Sequence, residues 1–191
     1  MKNLILLGIL IAFTFQSFAQ KLDSTALILI DIQEFYFPGG AAELSEPEAA
    51  AEQAKKILTY FRENNRLVVH VRHDFEPGGD IHKLVEPIRG EKVFTKREVN
   101  AFLGTGLKDY LDQYHIKNVV LAGMQTHMCL EGGTRAAHDL GYQCTVIGDA
   151  CATRDLKFGE STITAKDVHA STLATLKSYA KIQSAEDFLK N

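Results

Sequence analysis

An aspartate, a lysine and a cysteine stand where a parallel α/β sheet would bring them together. Asp31 directly follows the apolar run Ala26-Leu27-Ile28-Leu29-Ile30, and Lys96 comes two residues after Phe94 in Lys92-Val93-Phe94. Cys129 falls in the first turn of a helix expected after Val119-Val120-Leu121-Ala122-Gly123. In open α/β sheets the ligand crevice lies beyond the carboxyl ends of the strands, which is where all three residues would sit. A carboxylate, an ammonium and a thiol in one crevice suit acyl transfer. A helix N-terminus and an ammonium both favour thiolate, so the sequence predicts a lowered pKa at Cys129. The thiolate attacks an acyl carbon. The carboxylate takes the thiol proton and returns it to a leaving amine, and backbone N–H groups at the helix start hold the oxyanion. Each residue alone also has a plainer reading: Asp31 as a turn former, Lys96 as a solvated side chain, Cys129 as a small buried hydrophobe.

The elements that would position them alternate between strand and helix. Ala26–Ile30, Leu67–Val71, Lys92–Phe94, Val119–Gly123, Gln143–Ile147 and Ala180–Ile182 read as short apolar strands. Continuous rather than alternating hydrophobicity marks strands covered on both faces. Between them, Glu48–Asn65 carries Ala51, Ala54, Ile57, Leu58 and Phe61 at helical spacing behind Pro47. Gly106–Tyr114, Thr126–Leu140 (stopped by Gly141), Asp167–Tyr179 and a closing segment from Ser184 complete the helices. The polar stretch His73–Glu91 reads as a long loop, which compact domains usually keep for function. The expected fold is a single doubly wound, Rossmann-like α/β domain. Its mostly parallel sheet has about six strands, with helices on both faces.

Of 191 residues, 46% are hydrophobic and 24% charged, with a net charge of -3. That balance suits one globular domain and gives no electrostatic reason to expect a nucleic-acid partner. Residues 1–19 stand apart. A positive start at Met1-Lys2, an apolar run from Leu4 to Phe15 and small residues at Ser17 and Ala19 read as a secretory signal peptide, cleaved after Ala19. The expected mature domain is therefore 20–191, exported to the periplasm or secreted, with no membrane attachment after cleavage. Three cysteines remain, Cys129, Cys144 and Cys151. An odd number leaves at least one thiol unpaired in an oxidising compartment, and catalysis is a reason to keep it. A Cys144–Cys151 disulfide stays open at this point.

The chain resembles the isochorismatase-like cysteine hydrolases, the superfamily of nicotinamidases, N-carbamoylsarcosine amidases and isochorismatases. The matching segments are Ala26–Gln33, Val93–Lys96 with Asn100-Ala101-Phe102 and Thr105-Gly106-Leu107, Val119–Glu131, Thr134–Ala137 and Asp149–Ala152. They run in order over essentially the whole mature chain. The resemblance implies Asp31 as general acid/base, Lys96 as the group stabilising thiolate and carboxylate, and Cys129 as nucleophile. It also implies a non-proline cis peptide between Met124 and Gln125, with an oxyanion hole formed by the backbone N–H groups of Gln125 and Cys129. The implied function is hydrolysis of a small amide or carbamoyl C–N bond through a thioester, by a homo-oligomer acting on a small molecule without a cofactor. The sequence departs from nicotinamidases after the second strand. There Val71-Arg72-His73-Asp74-Phe75 does not supply their Asp-x-His metal element, so no metal is expected, although His73, Asp74 and His82 remain candidates for a rearranged site. Gln33, Phe37, His73 and His127 are the candidate substrate-pocket residues. Two rival readings remain: a scaffold of the same fold that binds without turnover, and a redox-active thiol protein.

Overall fold

The computed structural model describes residues 24–190, so the leader expected over 1–19 lies outside the described residues. In chain order the elements are β1 (Thr25–Ile30), α1 (Pro47–Glu63), β2 (Leu67–His73), β3 (Lys92–Lys96), α2 (Leu107–Gln113), β4 (Asn118–Met124), α3 (Glu131–Asp139), β5 (Gln143–Ala152), β6 (Leu156–Phe158), β7 (Ser161–Ile163), α4 (Ala165–Leu176), β8 (Ala180–Gln183) and α5 (Ala185–Leu189). Six strands form one sheet in the order β3-β2-β1-β4-β5-β8, every pair parallel. The fold is the expected α/β sandwich. None of its described helices is long and apolar enough to cross a membrane.

Side-chain alternation along β1 explains why its sequence is apolar throughout. Leu27 and Leu29 face a core shared with Ala54, Ile57, Leu58 and Phe61 of α1. Ala26, Ile28 and Ile30 face a second core with Leu107 and Leu111 of α2 and Ala137 of α3. A strand buried on both faces has no position for a polar side chain until it ends. In β1 it ends at Asp31. The chain winds outward from β1 through β2 to β3, then returns to place β4 on the other side of β1. That reversal is the topological switch point, and it opens a crevice at the carboxyl ends of β1 and β4.

Two departures from the sequence reading bear on the site. Gly148-Asp149-Ala150, beyond the strand end expected at Ile147, belongs to β5, which runs on to Ala152. The pairing with β4 jumps from Leu121–Val146 to Gly123–Cys151, so the extra residues bulge outward while the strand continues. Asp149 in that bulge accepts a hydrogen bond from Ala185 N at 2.8 Å and caps α5. The long loop after β2 is also pinned at several points. Gln33 bridges to Ile81, and a short helical turn forms at Lys83–Val85. The hairpin β6–β7, with strands of 3 residues each, is an element that the sequence reading does not contain.

The strand carrying Lys96 is held at its start by an ionic cluster. Arg62 of α1 meets Glu91 through Nε at 2.7 Å and Nη2 at 2.8 Å, and His70 Nε2 of β2 lies 2.9 Å from the same carboxylate. Burial would raise the Glu91 carboxyl, but the Arg62 hydrogen bonds, the Ile88 N–H and His70 outweigh it and hold the group at about 2. A carboxyl lowered on folding stabilises the protein above its ordinary value of 4.5, and that contribution fades as pH falls towards 2. Glu91→Gln is therefore expected to cost about 2 kcal/mol at neutral pH. The cost should shrink in acid, as read from urea unfolding at a series of pH values.

Candidate active site

Asp31 sits immediately past β1 with φ 51°, the left-handed region that non-glycine residues seldom occupy. Its N–H still donates to Val71 O at 2.8 Å, so the turn is built while the strand pairing is intact. At Gly123 the backbone of β4 lies close against β1, so that an added Cβ would stand 1.9 Å from Ile30 O. Only glycine permits that approach, and it brings the turn after β4 against Asp31. The Met124–Gln125 peptide is cis. One π-helical turn, Thr126–Leu130, then leads into α3 and carries Cys129. Such turns are rare and cluster at functional sites.

The three residues read from the sequence converge. Lys96 Nζ lies 2.7 Å from Asp31 Oδ2 and 3.1 Å from Cys129 Sγ. A third neighbour joins them: His73 Nδ1, 3.0 Å from the same ammonium. Asp31 and Lys96 are buried completely or nearly so, and Cys129 is 5% exposed. Asp31 Oδ1 has no hydrogen-bond partner among the described residues and is free to accept a proton. Asp31, His73 and Cys129 offer donor atoms within 4.8 Å of one another, a set that would suit a soft metal ion. The ammonium of Lys96 already stands among those donors. Asp74 and His82 do not join them. Asp74 is exposed and pairs with Arg97 at 2.9 Å, while His82 stacks on Phe37 with ring centroids 3.6 Å apart.

Electrostatics here correct one expectation. The Cys129 thiol is not lowered but pushed up to about 12, first by burial and next by the neighbouring Asp31 charge, with Lys96 only partly offsetting them. The ammonium and the helix end favour thiolate, but desolvation of the buried sulfur outweighs them. Burial also raises the Asp31 carboxyl against the pull of Lys96. The resting pair is therefore a protonated thiol beside a carboxylate of increased basicity.

Of the pocket candidates, His73 reaches the site and two others do not line it. Gln33 is fully buried and spends its amide on backbone. Its Oε1 accepts from His73 N at 2.7 Å, and its Nε2 donates to His73 O at 3.0 Å and Gly79 O at 2.7 Å. Phe37 is core, stacked on His82. His127 is half-buried on the turn that carries Cys129, its Nδ1 2.6 Å from Thr153 Oγ1. Cys144 and Cys151 are both free and buried, so no disulfide joins them.

Tyr36 also joins the site, its hydroxyl accepting from Gln125 Nε2 at 3.4 Å, and sequence reasoning missed Arg154, an exposed residue whose charge acts on both Tyr36 and His127. A cleft of about 530 Å³ opens beside the site between the start of α1, the end of β5 and α4. Two of its lining residues, Thr153 and His169, hold His127 and Thr126 of the turn that carries Cys129.

A parallel sheet between helices, with this buried cluster at its switch point, is a doubly wound α/β enzyme scaffold. The isochorismatase domain matches residues 25–187, and the chain belongs to that family of hydrolases. It is 39% identical to an uncharacterized isochorismatase family protein of Bacillus subtilis, over 87% of this chain and 99% of that one. A putative isochorismatase hydrolase of Oleispira antarctica superposes with a TM-score of 0.85 at 44% identity, covering 87% of this chain and 96% of its own. The maleamate amidohydrolase of Pseudomonas putida is 28% identical over 68% of this chain and 72% of its own length.

Proposed function

We propose that the protein hydrolyses a small amide or carbamoyl C–N bond through a thioester on Cys129. The observation that carries this reading is the buried Lys96 ammonium, shared at 2.7 and 3.1 Å between a carboxylate and a thiol. The amidohydrolase among its relatives supports the choice of bond.

Because the thiol is raised, attack and proton transfer go together. As Cys129 Sγ forms its bond to the acyl carbon, its proton passes to Asp31. The carbonyl electron pair moves to oxygen, where the backbone N–H groups of Gln125 and Cys129 are the proposed donors. Collapse breaks the C–N bond, and Asp31 returns the proton to the leaving nitrogen, releasing ammonia or an amine. Water then attacks the thioester carbon while Asp31 accepts its proton. Asp31 gives that proton back to the departing sulfur, and a carboxylic acid leaves. Lys96 stays charged throughout and offsets the negative charge as it moves between oxygen and sulfur.

The site should favour a small acyl group, since the nucleophile is almost wholly enclosed. Arg154 at the rim adds a positive charge that suits an amide bearing a carboxylate elsewhere. The test is ammonia release from a panel of small amides, ureas and carbamoyl compounds, half of them carrying a carboxylate. Turnover confined to anionic amides supports both parts of the reading. If no C–N compound turns over, the reading fails. Export is inferred from the leader and would show as an N-terminus at Gln20 in protein recovered from outside the cytoplasm. Light scattering of that material reads the expected homo-oligomer.

A further inference from the structure

An ammonium has three N–H donors and no acceptor. That of Lys96 has three neighbours within hydrogen-bond distance: Asp31 Oδ2, Cys129 Sγ and His73 Nδ1. The third contact is built into the sheet. His73 and Lys96 are register partners at the ends of β2 and β3, and Asp74 N donates to Lys96 O at 2.8 Å. Gln33, two residues beyond Asp31, grips both backbone groups of His73 much as a neighbouring strand would. A fully buried glutamine that bonds both backbone groups of His73, besides Gly79 O, fixes the placement of that residue.

We propose that His73 is a positioning residue of this site. Its Nδ1 accepts a hydrogen bond from the third N–H of the Lys96 ammonium, so that the other two stay directed at Asp31 and Cys129. Accepting at Nδ1 places the proton of neutral His73 on Nε2. Without the acceptor, one proton of a buried ammonium loses its partner and the headgroup is free to turn away from the thiol. Gln33 acts one step further out, through His73. This inference deepens the amidase reading, but its first test is independent of turnover.

That test is a long-range proton–nitrogen NMR spectrum of the histidine rings in the full chain, with the His73 signals assigned by their loss in His73→Asn. The expected result is the Nε2–H tautomer with an unprotonated Nδ1, and an Nδ1–H tautomer would overturn the proposal. The second test compares His73→Leu, which has no acceptor, with His73→Asn, whose Oδ1 stands near the position of Nδ1. In the leucine variant, alkylation of Cys129 by iodoacetamide at fixed pH should slow by about 10- to 100-fold, the loss of one charge-assisted hydrogen bond. Asparagine should restore most of the rate. With a substrate in hand, the leucine variant should lose kcat with KM nearly unchanged. Equal behaviour of the two variants, or a loss confined to KM, would make His73 a substrate contact and refute the positioning role. A failure of the amidase reading alone would leave the tautomer and alkylation results standing.

Discussion

Cys129→Ala is expected to lower turnover by about 10⁴-fold or more, because removing the nucleophile removes the covalent route entirely. The fold should survive. The side chain is small and 5% exposed, and its polar contacts are with Lys96 and Asp31. Melting should therefore place the variant within about 1 kcal/mol of the parent. Cys144→Ala is the matched control. That thiol is buried with its sulfur towards the Thr134 and Tyr142 carbonyls, outside the cluster, so activity should persist. A loss of activity in both variants with equal loss of stability would mean that the cysteines serve packing.

Lys96→Met is expected to damage both catalysis and stability, with a pH signature that separates it from a simple packing defect. Asp31 is fully buried and Lys96 is its ion-pair partner. Leaving a buried charge unpaired costs about 3–5 kcal/mol. Burial already raises the Asp31 carboxyl and Lys96 is the leading influence holding it down, so the variant should take up a proton there on folding. A group raised on folding stabilises the protein below its unfolded pKa and loses that contribution as pH rises through the folded one. The melting temperature of Lys96→Met should therefore fall from mildly acid to mildly alkaline pH. The double variant Asp31→Asn/Lys96→Met should recover stability and lose the pH dependence, but remain inactive. A stability deficit that does not vary with pH would contradict the electrostatic account.

The fold was legible because its central strands are buried on both faces. The continuous run Ala26–Ile30 leaves little choice but a central parallel strand, and the residues ending such strands are the ones that chemistry can use. Asp31, Lys96 and Cys129 were readable for that reason, and the resemblance supplied the cis bond at Met124–Gln125. Gln33 and Phe37 were placed in the pocket because they follow Asp31 closely. The turn after β1 instead directs one at the His73 backbone and the other into the core. The pKa of Cys129 was misjudged in sign because desolvation depends on what covers a group, which no local pattern encodes. His73 was noticed as a pocket residue, but its contact with Lys96 depends on strand register. Arg154 lies past the bulge in β5 and has no motif to mark it.

The most direct test of the account is the mass of the Cys129 peptide from protein quenched in acid during turnover of the first amide found to be hydrolysed. The account predicts an adduct on that peptide equal to the acyl part of the substrate, with Cys144 and Cys151 unmodified. A Cys129 that stays unmodified from the first turnover to the steady state, or an acyl group found on another residue, would contradict it.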